Sequence, residues 1–231
     1  MVAAYRASTI ATTPGAGSSN AAISLTVNKP SGTVDGDFMV AFMLSDPDAA
    51  DANLHAPTGW AQSGSTQFTT NVSRSKVYVK SASGEPTSYT FTVDDFSSGI
   101  VILASASGID TTTPVNITPT WNSSTTASQT SHIAPSISPT VSGCLMLCAF
   151  TSGAASTASY TPPTGMTEMQ DAWSGFEFGE AAYQSLAGSG ATGTKTATAT
   201  AGGNGWVAVS MALAPLASSS SRNSAFFPFL S

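Results

Sequence analysis

The stretch from Val34 to Leu44, VDGDFMVAFML, restricts this chain more than any other, because it is apolar on both alternating sets of positions. Phe38, Val40, Phe42 and Leu44 form one set, and Met39, Ala41 and Met43 the other. A short run of this kind, entered through Gly36 and left through Ser45-Asp46-Pro47, reads as a central β-strand that must be covered on both faces. It also has a twin in Val141 to Thr151, VSGCLMLCAFT, with Gly143 where Gly36 stands.

Further landmarks repeat in the same order. Pro57-Thr58-Gly59-Trp60 matches Pro163-Thr164-Gly165-Met166, a turn in which Pro fixes φ and Gly supplies the open conformation before the chain re-enters a sheet. Three strand-like segments follow in each half, around Tyr78 and Tyr183, Phe91 and Ala197, and Ile100 and Val207. The pairs Gly36/Gly143, Gly59/Gly165, Tyr78/Tyr183 and Gly99/Gly205 are 107, 106, 105 and 106 positions apart. Offsets this steady imply an internal duplication of about 106 residues. Two such units are too few for a solenoid. They suit two sheets packed face to face, or two small sandwiches in tandem.

The expected organisation is an N-terminal arm over 1–20, a β-sandwich over 21–216 and a C-terminal docking arm over 217–231, with repeat halves at about 22–108 and 133–215. Gly108 to Ile137, rich in Thr, Ser and Pro, reads as a long connector. After Leu216 a serine run leads to Phe226-Phe227-Pro228-Phe229-Leu230. Burying each large apolar side chain of that block is worth about 1.5–3 kcal/mol, against about 1–2 kcal/mol for ordering a residue. Such a block docks where a preformed groove receives it, on a neighbouring subunit or on its own body.

Composition narrows the function. The 231 residues carry a net charge of −6, and only 9% are charged. Lys and Arg are scattered singly, which excludes the clustered cations that nucleic-acid binding needs. No apolar run reaches membrane-spanning length, and the N-terminus has no signal-peptide core. Cys144 and Cys148 share a strand face but stand roughly 13 Å apart at ~3.3 Å per residue, so they are expected as buried free thiols. That fits assembly in a reducing cytoplasm.

No set of residues announces a reaction, so no catalytic, cofactor or metal site is expected. Gly188-Ser189-Gly190-Ala191-Thr192-Gly193 fits G-x-G-x-x-G in letters, but an alternating strand pattern follows it rather than a helix. His55 and His132 are expected in surface or turn positions. Asp46, Asp48 and Asp51 lack the spacing of a calcium loop, and Asp94-Asp95 reads as turn chemistry. Trp60 and Trp206 read as core plugs, whereas Trp121 and Trp173 are expected in loops, as contacts for a partner or a glycan.

Taken together, Pro30-Ser31-Gly32-Thr33-Val34-Asp35-Gly36-Asp37-Phe38-Met39-Val40, Ala56-Pro57-Thr58-Gly59-Trp60, Gly108-Ile109-Asp110-Thr111-Thr112-Thr113-Pro114-Val115 and Gly190-Ala191-Thr192-Gly193-Thr194 resemble a family of β-sandwich structural proteins of tailed-bacteriophage virions. The resemblance covers roughly residues 22–215. It implies an all-β, jelly-roll-like antiparallel sandwich with no active site. The expected role is a head decoration or cement protein in the virion. It would dock Phe226, Phe227, Pro228, Phe229 and Leu230 on the major capsid protein or other virion subunits, as a homo-oligomer such as a trimer. The alternative is a tail or fibre component that binds host-surface glycans through Trp121 and Trp173.

Overall fold

The computed structural model of the chain describes residues 4–13, 23–47, 54–64, 68–69, 73–93, 97–153 and 157–217. Every regular element among them is a strand. The first half holds β1 (Ala4–Thr13), β2 (Ile23–Asn28), β3 (Phe38–Pro47), β4 (Leu54–His55), β5 (Ala61–Gln62), β6 (Phe68–Thr69), β7 (Arg74–Ser81), β8 (Ser88–Val93) and β9 (Ser97–Ser107). The second half holds β10 (Val115–Ser124), β11 (Ser131–Ala134), β12 (Leu145–Gly153), β13 (Tyr160–Thr161), β14 (Thr167–Trp173), β15 (Glu177–Ser185), β16 (Lys195–Ala199) and β17 (Trp206–Leu213).

These strands build four antiparallel sheets, one large and one small in each half. In the first half the orders are β1-β9-β3-β7-β5, with β6 also on β7, and β2-β8-β4. In the second half they are β10-β17-β12-β15-β14 and β11-β16-β13. In each half the first strand lies beside the last, and the second beside the next to last.

Three apolar cores lie between the four layers. Met39, Ala41, Met43 and Leu103 meet Leu25, Phe91 and Val93 inside the first half. Met146, Cys148, Phe150 and Phe178 meet Ala134, Tyr160 and Ala197 inside the second. Between the two large sheets, Phe38, Val40, Phe42, Leu44, Ile100 and Ile102 meet Leu145, Leu147, Ala149, Ala181, Val209 and Met211. Both alternating sets of β3 are therefore buried, and so are those of β12, as their sequences require.

The ladders of the two halves correspond residue by residue. Phe38, Val40 and Phe42 pair with Ala106, Ala104 and Ile102. Leu145, Leu147 and Ala149 pair with Leu213, Met211 and Val209. The entry turns correspond as well. Gly36 N–H donates to Ala82 O and Gly143 N–H to Leu186 O, each at 2.9 Å. Both glycines have positive φ, 91° and 79°.

Several sequence expectations need correction. Tyr78 pairs with Ala41, whereas Tyr183 pairs with Leu147, which stands where Val40 does. The residue in the place of Tyr78 is Ala182, so the expected Tyr78/Tyr183 match slips by one. A one-residue slip changes faces, and Tyr78 joins the first-half core while Tyr183 packs on the middle one. In the same way Trp206, not Gly205, stands where Gly99 does. Part of the expected N-terminal arm, Ala4–Thr13, is paired along β9. The expected connector contains β10 and β11.

The middle core makes the halves interdependent. Phe42→Ala, which empties a large buried site, is expected to lower stability by about 3–5 kcal/mol. Hydrogen exchange should show β8 and β16 losing protection together. Gly188→Ala, at a site with open space around the added carbon, should stay within about 0.5 kcal/mol of the parent.

Candidate functional site

The halves meet at one end of the body, where the chain leaving β9 lies against the chain leaving β17. Ile109 bridges Pro215, Asp110 N–H donates to Ala214 O (3.0 Å), and Leu216 N–H donates to Gly108 O (2.7 Å). A groove of about 680 Å³ opens beside this junction, with Asp110, Thr113, Asn116, Val141, Gly143 and Leu216 among its walls.

Its floor is held by polar contacts. Asp110 Oδ1 accepts from Thr112 N–H (2.7 Å) and Thr113 N–H (3.0 Å). These donors hold its carboxyl below the usual range. Asn116 and Thr140 exchange two hydrogen bonds, at 2.8 and 2.9 Å. Against this polar frame stand the exposed side chains of Val141 and Leu216. Ala217, also on the wall, is the last described residue before the serine run.

The residues expected to contact partners are not brought together. Phe226, Phe227, Pro228, Phe229 and Leu230 lie outside the described residues. Trp121 and Trp173 are not in loops. Trp121 is in β10, paired with Val209 and packed half-buried on the middle core. Trp173 ends β14, paired with Phe178 and packed half-buried on the second-half core. Trp60 and Trp206 are core plugs as expected, Trp60 lying edge-on to Tyr89 and Phe91.

Buried polar groups were the part that sequence reasoning missed. His132, expected near the surface, is wholly buried on β11 in the place that Leu25 takes in the first half. Its Nε2 faces Gln129 O at 3.1 Å, which can only accept, so Nε2 carries the proton and Nδ1 accepts from Tyr160 O–H at 2.7 Å. Trp206 stacks on the ring at 5.2 Å. Burial lowers the His132 pKa to about 4, which keeps the ring neutral. Cys144 and Cys148 are free and buried, and burial pushes the Cys148 thiol up to about 12. The glycine run at 188–193 leads into strand β16, not a helix.

A second buried polar group lies on the β14–β15 pair. Asp171 stands directly opposite Glu180, on the face that packs against the small sheet. Asp171 Oδ2 accepts from Tyr160 N–H (2.9 Å), while neither carboxyl oxygen of the fully buried Glu180 has a hydrogen-bond partner. Burial, then Glu168 and Asp171, raises Glu180 to about 8; burial, then Glu168, raises Asp171 to about 6. On the opposite face Glu177 takes hydrogen bonds from Thr151 and, across the halves, from Ser73 (3.3 Å). Among the described residues no group of His, Cys, Asp or Glu is placed to hold a metal ion.

No family model, curated protein or solved structure matches the chain.

The His132 contact carries a pH signature. Its folded pKa lies below that of the unfolded chain, so its contribution is complete above pH 6.5 and is lost as pH falls toward about 4. The full loss is about 3 kcal/mol. His132→Leu with Tyr160→Phe, which restores the apolar pattern of the first half, should weaken this acid dependence in urea melts at pH 7 and 4.5.

Proposed function

We propose that the chain is a non-enzymatic structural protein of a tailed-bacteriophage virion, a capsid decoration or cement protein assembled in the host cytoplasm. Its body is a tandem duplication of a jelly-roll-like unit. The nested pairing supports this, with β1 on β9, β2 on β8 and β3 on β7, repeated as β10 on β17, β11 on β16 and β12 on β15. One strand of each half departs from a strict two-sheet roll, since β5 and β14 extend the large sheets beside β7 and β15.

One observation carries the functional reading: the body keeps its large apolar side chains inside. Among the described residues the exposed exceptions are Val34, Val141, Phe176 and Leu216, and two of these line the end groove from which the chain continues. Beyond that groove the sequence places Phe226, Phe227, Phe229 and Leu230 after a serine linker. The docking capacity of the chain is therefore concentrated in its last residues. A closed body with a sticky segment suits reinforcement of a shell, where several weak contacts act together. The partner is the major capsid protein or another virion subunit, and a trimer gives the needed multivalency. The half-buried packing of Trp121 and Trp173 gives the glycan-binding alternative less support.

Co-sedimentation with capsids lacking this chain tests the proposal. The full-length chain should pellet with capsids, whereas a 1–216 truncation should remain in the supernatant. Replacing Phe226, Phe227 and Phe229 by Ala should weaken binding by about a thousandfold, at about 1.5 kcal/mol or more per buried ring. Equal binding by full-length chain and truncation would remove the docking segment from the account. No binding by either would remove the capsid.

A further inference from the structure

The strongest unexplained feature inside the body is the acidic pair on the edge of the second large sheet. β14 is the edge strand, its ladder hydrogen bonds made with β15 alone. Directly opposed like charges destabilise an antiparallel pair, and the full burial of Glu180 makes the cost larger. Both groups are carboxyls on the face of the second-half core, Glu180 fully buried and Asp171 half-buried, and the charge of the exposed Glu168 on β14 acts on both.

The corresponding place in the first half shows how a charge is accommodated there. Lys76 pairs with Met43 as Glu180 pairs with Phe150. It donates to Leu54 O (3.2 Å) and lies over the Tyr78 ring at 5.7 Å. Glu180 has no such support: it is fully buried and both its oxygens lack a hydrogen-bond partner. The surrounding elements do not compensate. Beside it on β12 is Cys148, a thiol kept protonated by burial, and β13 contributes Tyr160, whose hydroxyl engages His132 of β11. Tyr160 lies within the fields of Glu177, Glu180 and Asp171. Lys195 on β16, on the same alternation as the buried Ala197 and Ala199, acts on Cys148, and no cation acts on Asp171 or Glu180 among the described residues. The ligand that this arrangement lacks is a proton.

We propose that Asp171 and Glu180 form a proton-dependent latch: a proton held on the pair keeps β14 docked on β15, and its loss loosens that edge strand. Both groups hold protons more tightly folded than unfolded. The latch is therefore complete below the ordinary carboxylate range, near pH 4, and is lost as pH rises through about 6 and about 8. Only the edge responds, because β12 and β17 are paired on both sides within the same sheet.

Hydrogen exchange of the full-length chain, read on peptides from β14 and β12 and corrected for intrinsic rates, tests the latch. Between pH 6 and 8 protection of residues 167–173 should fall roughly a hundredfold, tenfold per pH unit for one proton, while β12 stays unchanged. Glu180→Gln should remove the pH dependence, and Asp171→Asn should reduce it. Carboxyl carbon resonances of the parent chain, which need no variant, should show a glutamate titrating well above the ordinary range. The proposal is overturned if β14 protection is flat across this range, if Glu180→Gln and Asp171→Asn fall as the parent does, or if every glutamate titrates normally.

Discussion

Everything in this molecule depends on the contact between the two large sheets. β3 and β12 are each paired on both edges and covered on both faces, so the side chains from Phe38 to Ser45 and from Leu145 to Ser152 are buried. The contact is asymmetric in size at one point. Both halves contribute large residues, Phe38, Phe42, Leu44, Ile100 and Ile102 from the first and Leu145, Leu147, Val209, Met211 and Leu213 from the second, but Leu44 and Ile100 face Gly179. A methyl group on Gly179 would stand 2.6 Å from Leu44 Cδ1, so the glycine is the hole that receives that knob. A large residue seated over a glycine lets the sheets approach to close-packed contact at that point.

The sequence carried the parts of this plan that water dictates. Phe38–Leu44 and Leu145–Phe150 have no polar face, and the Pro-Thr-Gly turns carry their own backbone chemistry, so both central strands and both turns were apparent. Edge strands were not. Ala4–Thr13 and Val115–Ser124 are built largely from Ala, Thr and Ser, and an edge strand packed from one side needs no strong alternation. They therefore read as an arm and a connector. Position in the ladder was also hidden: a tyrosine in each half suggested a match that pairing displaces by one residue. Trp121 and Trp173 followed the same logic, since misreading the strand misplaces its side chains.

The buried polar groups lay furthest from view. Nothing around His132 in the chain reveals that Tyr160 and Gln129 will complete its hydrogen bonds from other segments. Nothing local to Asp171 reveals that Glu180 will stand opposite. Burial lowers the pKa of His132 and raises that of Glu180, each because the charged form loses its water. At one end of the body the junction of the halves and the groove coincide, next to the last described residue.

The central claim is that the two halves share one core and fold as one body. Its most direct test is to produce residues 1–110 and 111–231 as separate chains, alone and together, and to follow each by cooperative unfolding and gel filtration. The shared core predicts that each piece alone is aggregated or lacks a cooperative transition, since its large sheet would expose an apolar face. Together they should associate into one species that unfolds in a single step. A soluble monomeric 1–110 fragment with a sharp transition of its own would contradict the account.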